Sequence, residues 1–147
     1  MVPDIEQQNN NKDEVTLKLY DTVENYANTG KKTPVFFSRG KWLYPLFELE
    51  TYLEKTTPQK KEREKYYLED KIIGKAAAHL VIRLGIKKLH AGILSKLGKE
   101  ALDMFRVEYT FDKLVDRIIC KTEKLLSAVD DPEISYHIIK KLIGGKK

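Results

Sequence analysis

Apolar and polar residues alternate near the start of the chain, in residues 15–20 with the sequence V-T-L-K-L-Y. Because successive side chains of a strand point to opposite faces, this alternation predicts a half-buried strand. Leu19, Val23 and Tyr26 are also spaced as one face of a helix, so a helix remains the alternative for this stretch. The following N-T-G-K-K sequence of residues 28–32 predicts a turn.

A second strand is predicted for residues 33–38, T-P-V-F-F-S, with Pro34 at its start, where a missing N–H group is tolerated. The S-R-G-K sequence of residues 38–41 is expected to break this strand. Residues 42–54 then have apolar positions at helical spacing, which predicts an amphipathic helix with Pro45 in its first turn. The two strands and their turn predict an antiparallel pair.

From residue 66 onwards, strands and helices alternate. The predicted strands are residues 66–73, 86–94 and 107–111, and the predicted helices are residues 75–84, 96–106, 121–128 and 132–143. Residues 114–119 are apolar and ambiguous. Strict alternation implies parallel strands with right-handed crossovers. We therefore predict an α/β domain with a mixed five-stranded sheet and helices on both faces, a three-layer α/β/α arrangement, over residues 14–143. Residues 1–13 and 144–147 are expected to be flexible tails.

Composition supports a single globular domain, since 147 residues with 41% hydrophobic and 10% aromatic residues suffice for one core. The net charge of +5 comes from 27 basic and 22 acidic residues that are interspersed, so nucleic-acid binding is not favoured. No apolar stretch is long enough to span a membrane, and no secretory signal is expected. The single cysteine suits a reducing cytoplasm.

The most promising site lies where strand 66–73 ends and helix 75–84 begins. Ligands of open parallel sheets collect at the carboxyl ends of strands, and free N–H groups at a helix start favour phosphate or carboxylate. Gly74 allows close approach of the backbone, and Lys75 supplies a positive charge. A tight turn with a solvated lysine is the alternative. Arg39 and Gly40 follow the second strand. If that strand runs parallel to strand 66–73, Arg39 lies at the same sheet edge as Gly74 and offers its guanidinium group to an anion; a surface position is the alternative.

Three further residues are weaker candidates. Asp70 lies in a strand that is predicted to be buried, so its carboxylate needs a partner, either Lys71 or an arginine; a role as a site acid is the lesser interpretation. Ser95 is predicted to be the N-cap of helix 96–106 and a neighbour of the ligand. Cys120 precedes a helix, a position that lowers thiol pKa values, although Glu123 three residues later opposes that effect; a small buried residue without a chemical role is the alternative.

Metal chemistry is not predicted. The three histidines, His79, His90 and His137, have no metal-ligand spacing, and the chain has no C-x-x-C pair. Neither a G-x-x-x-x-G-K-[ST] nor a G-x-G-x-x-G sequence occurs, so the Gly74 turn is not one of the standard nucleotide-binding loops. We expect no cofactor.

The D-K-I-I-G-K-A-A-A sequence of residues 70–78 resembles a small bacterial family of uncharacterised proteins with a cytidine-deaminase-like fold. The supporting sequences are S-R-G before a P-L helix, I-K-K-L-H-A-G-I-L-S, V-E-Y and D-D-P-E. The resemblance implies a three-layer α/β/α domain. In true cytidine deaminases, two helix starts carry the zinc ligands, the first a His or Cys with a catalytic Glu and the second P-C-x-x-C; the helix starts at residues 39–45 and 74–78 carry neither.

The same family tends to have a glycine-containing segment before C-P-x-E. Here the sequence is C-K-T-E, residues 120–123, with Lys121 in place of the proline and without that glycine segment. A role of Cys120 carried over from the family therefore loses part of its basis.

These observations lead to one hypothesis with two alternatives. The leading one is a cytoplasmic domain without zinc that binds a small anionic ligand, such as a nucleotide, through Arg39, Gly40, Gly74 and Lys75, with Asp70 and Ser95 nearby.

The first alternative is an enzyme that uses Cys120, with Glu123 and Asp70 as further catalytic candidates. The second is a structural or interaction domain that forms homo-oligomers, which we expect if Trp42, Tyr44 and Phe47 form an exposed apolar patch.

Overall fold

A computed structural model of the protein describes residues 14–22, 33–118 and 121–144. The predicted N-terminal tail, residues 145–147 of the predicted C-terminal tail, the predicted turn at residues 28–32 and Cys120 lie outside these ranges. The described elements follow one another in this order: β1 Glu14–Asp21, β2 Phe36–Lys41, α1 Tyr44–Thr56, a 3-10 helix Lys60–Lys65, β3 Tyr66–Ile73, α2 Lys75–Leu84, β4 Lys88–Ser95, α3 Lys96–Met104, β5 Glu108–Val115, α4 Lys121–Leu125 and α5 Pro132–Gly144.

The strands form one mixed sheet in the order β2-β1-β3-β4-β5. β1 is antiparallel to both of its neighbours, whereas β3, β4 and β5 are parallel. The α/β class and the mixed five-stranded sheet are confirmed, as are the antiparallel front pair and the bounds of β3 and α2. Among the described residues, no helix is long and apolar enough to cross a membrane.

The alternation of elements predicted helices on both faces of the sheet, but α1, α2 and α3 lie on one face. α1, α2 and α3 each connect two parallel strands, and each connection moves across the sheet in the same direction. Right-handed crossovers of this kind put all three helices on the same face. There they pack on Leu17, Leu68 and Leu89 of the sheet in one continuous core, and α2 contacts α1, α3 and α5.

Two strands end later than the sequence predicted. The S-R-G-K stretch does not break β2, because Ser38, Arg39 and Gly40 pair with β1; the chain turns only after it, at Trp42, whose φ is 52°. β5 continues through Asp112 and Lys113 to Val115. Both are edge strands, where glycine and charged residues are tolerated because fewer side chains have to be buried.

The alternation of buried residues shifts by one position midway along the parallel strands. Ala91 and Leu94 of β4 both belong to the main core although they are three residues apart, whereas Ile93 turns to the opposite side. At the same level β3 and β4 come very close, since a Cβ on Gly92 would lie only 2.7 Å from the carbonyl oxygen of Lys71. A glycine is therefore required at position 92.

Helix α2 is buried almost all round, and its C-terminal end meets a buried cation. Arg63 of the 3-10 helix is 5% exposed; its Nε donates to the Thr57 carbonyl at 2.8 Å and its Nη1 to the Leu84 carbonyl at 3.0 Å. These carbonyls belong to the last turns of α1 and α2, where positive charge is favoured. Gly85, with φ 87°, closes the same end of α2.

We expect Arg63→Ala to lower the free energy of unfolding by about 2–4 kcal/mol, because it leaves two buried carbonyl groups without a donor. Lys61→Ala, in the same 3-10 helix but at an exposed position, is the matched control and should change it by less than about 0.5 kcal/mol. Urea unfolding followed by circular dichroism measures both variants. Equal effects of the two substitutions would contradict the role given to Arg63.

Candidate functional site

The ends of β3 and β4 bring two helix N-termini together. Gly74 precedes α2 and Ser95 precedes α3, and the two parallel strands end at the same edge of the sheet. Ser95 is the N-cap, as predicted, because its Oγ accepts a hydrogen bond from Gly98 N at 2.9 Å. A Cβ on Gly98 would lie 3.1 Å from the carbonyl carbon and oxygen of Gly74, so the first turn of α3 packs directly on that peptide group.

The carboxylate of Glu123 occupies the point where the two helix N-termini meet. Its Oε2 accepts hydrogen bonds from Lys75 N at 2.7 Å and from Ser95 Oγ at 3.0 Å. Its Oε1 accepts one from Ile118 N at 2.9 Å. We call this group of residues the Glu123 cap: Gly74, Lys75, Ser95, Gly98, Ile118 and Glu123.

In the Glu123 cap, the free N–H groups of the helix start and the buried carboxylate satisfy each other's hydrogen bonds. N–H groups in the first turn of a helix have no partner within the helix, and the helix dipole makes this end electropositive, so a carboxylate is favoured there. Glu123 itself is 3% exposed, and three donors satisfy its charge. Gly74 is needed for this fit, because a Cβ at that position would overlap Glu123 Oε2.

The side chain of Lys75 is buried and turns to a different part of the chain. Its Nζ donates to the Ser127 carbonyl at 3.0 Å and forms an ion pair of 3.2 Å with Asp130 Oδ1. Both partners belong to the connection between α4 and α5. Lys75 therefore contributes its backbone N–H to the Glu123 cap and its ammonium group to the anchoring of the loop that follows α4.

Asp70 is buried without a cationic partner among the described residues. It is 4% exposed, and its Oδ1 has no hydrogen-bond partner there. Burial raises the pKa of Asp70 from 3.8 to about 7, although the backbone N–H groups of Ile72 and Lys71 partly oppose the rise. The expected pairing with Lys71 or an arginine is absent among the described residues.

Arg39 and Gly40 do not join the Glu123 cap. Arg39 is exposed and binds Glu14 of β1, with Nη2 2.7 Å from Oε1 and Nε 2.9 Å from the same oxygen. Gly40 packs beside Pro45. β1 lies between β2 and β3, so these two residues share the sheet edge with Gly74 but lie two strands away. The structure thus brings together Gly74, Lys75, Ser95 and Glu123 of the predicted residues.

His79 forms a second buried polar contact on α2. Its Nδ1 lies 2.5 Å from Ser135 Oγ of α5, and both residues are buried. Burial, together with the charge of Lys75, lowers the pKa of His79 to about 4, so the imidazole is neutral at neutral pH. This contact links α2 to α5 in the interior. Neither atom faces solvent.

No group of three or more His, Cys, Asp or Glu residues within the described ranges is arranged to hold a metal ion. The two helix starts at the Glu123 cap carry the sequences G-K-A-A-A and S-K-L-G. Neither sequence supplies a thiolate or an imidazole, which are the ligands that zinc prefers. Cys120 lies outside the described residues, and its candidate role stays a prediction.

The family model described as TM1506, domain of unknown function (DUF1893), matches residues 48–143, which include every residue of the Glu123 cap. The chain belongs to the DUF1893 family. The expected membership of a family of uncharacterised proteins is thereby confirmed.

A solved structure of a DUF1893 family protein, TM1506 from Thermotoga maritima, is similar to this chain with a TM-score of 0.68 and 24% identity. The similarity covers 86% of this chain and 80% of that protein. At this identity it supports the shared α/β fold alone. No curated protein matches the chain.

The sequence indicated the two helix starts of this DUF1893 domain, but it did not indicate that Glu123 is their main partner. Glu123 was predicted only as a catalytic candidate beside Cys120, because its contacts with Lys75 and Ser95 join residues 48 and 28 positions apart. The one signal that the sequence offered for this partner is that Glu123 precedes a short run of apolar residues. Nothing in the sequence indicated that Ile118 supplies the third donor.

We expect Gly74→Ala to destabilise the DUF1893 domain by about 1–3 kcal/mol in the wild-type background, because the new methyl group overlaps Glu123 Oε2. In a Glu123→Ala background the same substitution should cost less, since the overlapping carboxylate is gone. A double-mutant cycle of urea unfolding measures the coupling. Additive effects would mean that the two residues do not interact.

We expect Asp70→Asn to stabilise the protein more at pH 8 than at pH 5. The folded pKa of about 7 exceeds the ordinary value of 3.8, so between these values the folded state binds more protons and stability falls as the pH rises. The asparagine cannot ionise and avoids this loss, which is on the order of 1–3 kcal/mol. Urea unfolding at pH 5 and at pH 8 measures the stability difference between the variant and the wild type. A difference that does not depend on pH would contradict the raised pKa of Asp70.

Proposed function

We propose that this DUF1893 domain binds a small anionic ligand, such as a carboxylate or the phosphate of a nucleotide, at the Glu123 cap. The observation that carries the proposal is the convergence of donors from two helix starts and the Ile118 backbone on one carboxylate. The chain's own Glu123 shows the charge and size of group that these donors accept. A ligand anion replaces Glu123 on the same donors.

The proposal changes the ligand residues expected from the sequence. Lys75 N and Ser95 Oγ are the direct donors, Gly74 provides the room, and Glu123 acts as the competing internal anion. Arg39 and Gly40 are two strands away and take no part in it.

The expected relation to the cytidine-deaminase fold supports one of the two helix starts of the Glu123 cap. In those enzymes the catalytic centre lies at two helix starts, and the resemblance makes residues 39–45 and 74–78 the corresponding pair, of which only the start at residues 74–78 belongs to the cap. The residues at these starts do not fit a zinc site, so the proposal involves binding without metal-activated water. We also place the protein in the cytoplasm, for which the single cysteine is the support.

A second candidate is an interaction domain in which the Glu123 cap has only a structural role. It is favoured by the fact that Glu123 already binds the donors that a ligand would use. The apolar patch expected for self-association is weakly developed, because Trp42 and Phe47 are half-buried while Tyr44 is 38% exposed. A homo-oligomer stays a prediction.

Chemical rescue tests the proposal. Glu123→Ala leaves the donors of the cap without an acceptor, and we expect formate, acetate or inorganic phosphate to raise the Tm of this variant by about 2–4 °C or more. Glu48→Ala is the matched control, because Glu48 also accepts a hydrogen bond from a serine, Ser38, but lies away from the cap. The same anions should not selectively raise the Tm of Glu48→Ala.

A panel of nucleotides and sugar phosphates on the wild-type protein extends the test to function. Stabilisation of the wild type by one compound, lost in Ser95→Ala, supports ligand binding at the cap. If no anion raises the Tm of Glu123→Ala more than that of Glu48→Ala, the cap does not bind external anions. The interaction domain is then the better description.

A further inference from the structure

The face of the sheet opposite the helices carries a line of three hydrogen-bonded polar side chains. His90 of β4 lies in register with Thr110 of β5, and Asp112 is two residues further along β5. His90 Nδ1 is 2.6 Å from Thr110 Oγ1, and His90 Nε2 is 3.1 Å from Asp112 Oδ1. This line lies on the other side of the sheet from the core and is independent of the Glu123 cap.

The two contacts of His90 fix the position of its proton. A carboxylate only accepts hydrogen bonds, so Asp112 requires a proton on Nε2. Nδ1 is then free to accept the hydroxyl hydrogen of Thr110. A hydroxyl on one imidazole nitrogen and a carboxylate on the other is the arrangement by which a histidine activates an oxygen nucleophile.

The line is accessible from solvent. Thr110 is exposed, and the side chains of His90 and Asp112 are 28% and 75% exposed. By contrast, the other hydroxyl–imidazole contact among the described residues, Ser135 with His79, is buried and cannot meet a substrate.

We propose that Thr110, His90 and Asp112 form a second site, which transfers acyl groups from small carboxylic esters to water. Thr110 Oγ bonds to the ester carbonyl carbon while its proton passes to His90 Nδ1. The imidazolium returns this proton to the leaving oxygen as the C–O bond breaks, which leaves an acyl-threonine. Water then attacks that ester, His90 takes and returns the proton, and the acid and free Thr110 are released.

Each residue has a distinct role in this scheme. Thr110 is the nucleophile and His90 the general base, and both touch the reacting atoms. Asp112 is a positioning residue that holds the Nε2–H tautomer and stabilises the imidazolium. Glu69 of β3 lies beside His90 in the register but is bonded to Tyr20, so it is not the carboxylate of this line.

Hydrolysis of p-nitrophenyl acetate by the full chain tests the proposal. We expect Thr110→Val and His90→Gln each to lower the protein-dependent rate by about 10-fold or more, with a smaller loss for Asp112→Asn. Asp112→Asn should also alter the pH profile, which a structural role would not do. His137→Gln, an exposed histidine on α5, is the control for unspecific imidazole catalysis and should leave the rate unchanged.

Mass spectrometry of the rapidly quenched reaction distinguishes the nucleophile. An acetyl group on the peptide that contains Thr110, absent in His90→Gln, supports the scheme. A full rate in Thr110→Val, or an equal loss in His137→Gln, overturns it. Because the three side chains lie on the surface, we expect unchanged Tm values for these variants; the rate of any variant that loses stability is measured below its Tm.

Discussion

A buried carboxylate at two helix starts is the interaction on which this structure depends. Helix α2 lies in the centre of the molecule, covered by the sheet, α1, α3 and α5, so water cannot satisfy its end groups. Glu123 supplies the acceptor at its N-terminal end, and Arg63 supplies the donor at its C-terminal end. Two residues from distant parts of the chain therefore allow both ends of this helix to be buried.

The same arrangement connects stability with the proposed ligand site. Helix starts that need an acceptor for their own stability also attract external anions, since both depend on the same unpaired N–H groups. In this chain the internal acceptor comes from α4, which is only five residues long. Whatever competes with Glu123 therefore also competes with the attachment of α4 to the rest of the domain.

The element types and the ends of α2 could be predicted from local signals, whereas the long-range contacts that build the site could not. Gly74 and Gly85 mark both ends of α2, and Ser95 marks the start of α3, so these bounds followed from the sequence. Arg63 stands in a run of charged residues that is typical of a solvated surface, and only tertiary contacts reveal its burial. The Glu123 contacts could not be predicted for the same reason, because no periodic pattern indicates a contact between distant segments.

The shift in alternation beside Gly92 has a consequence for the Glu123 cap. It turns Ile93 away from the main core and towards Ile72, where both pack with Val115 and Ile118 in a separate small cluster. Ile118 is also the residue whose N–H binds Glu123. An irregularity in the pleat of the sheet thus helps to place a backbone donor beyond the last strand, and through that donor the carboxylate that the two helix starts share.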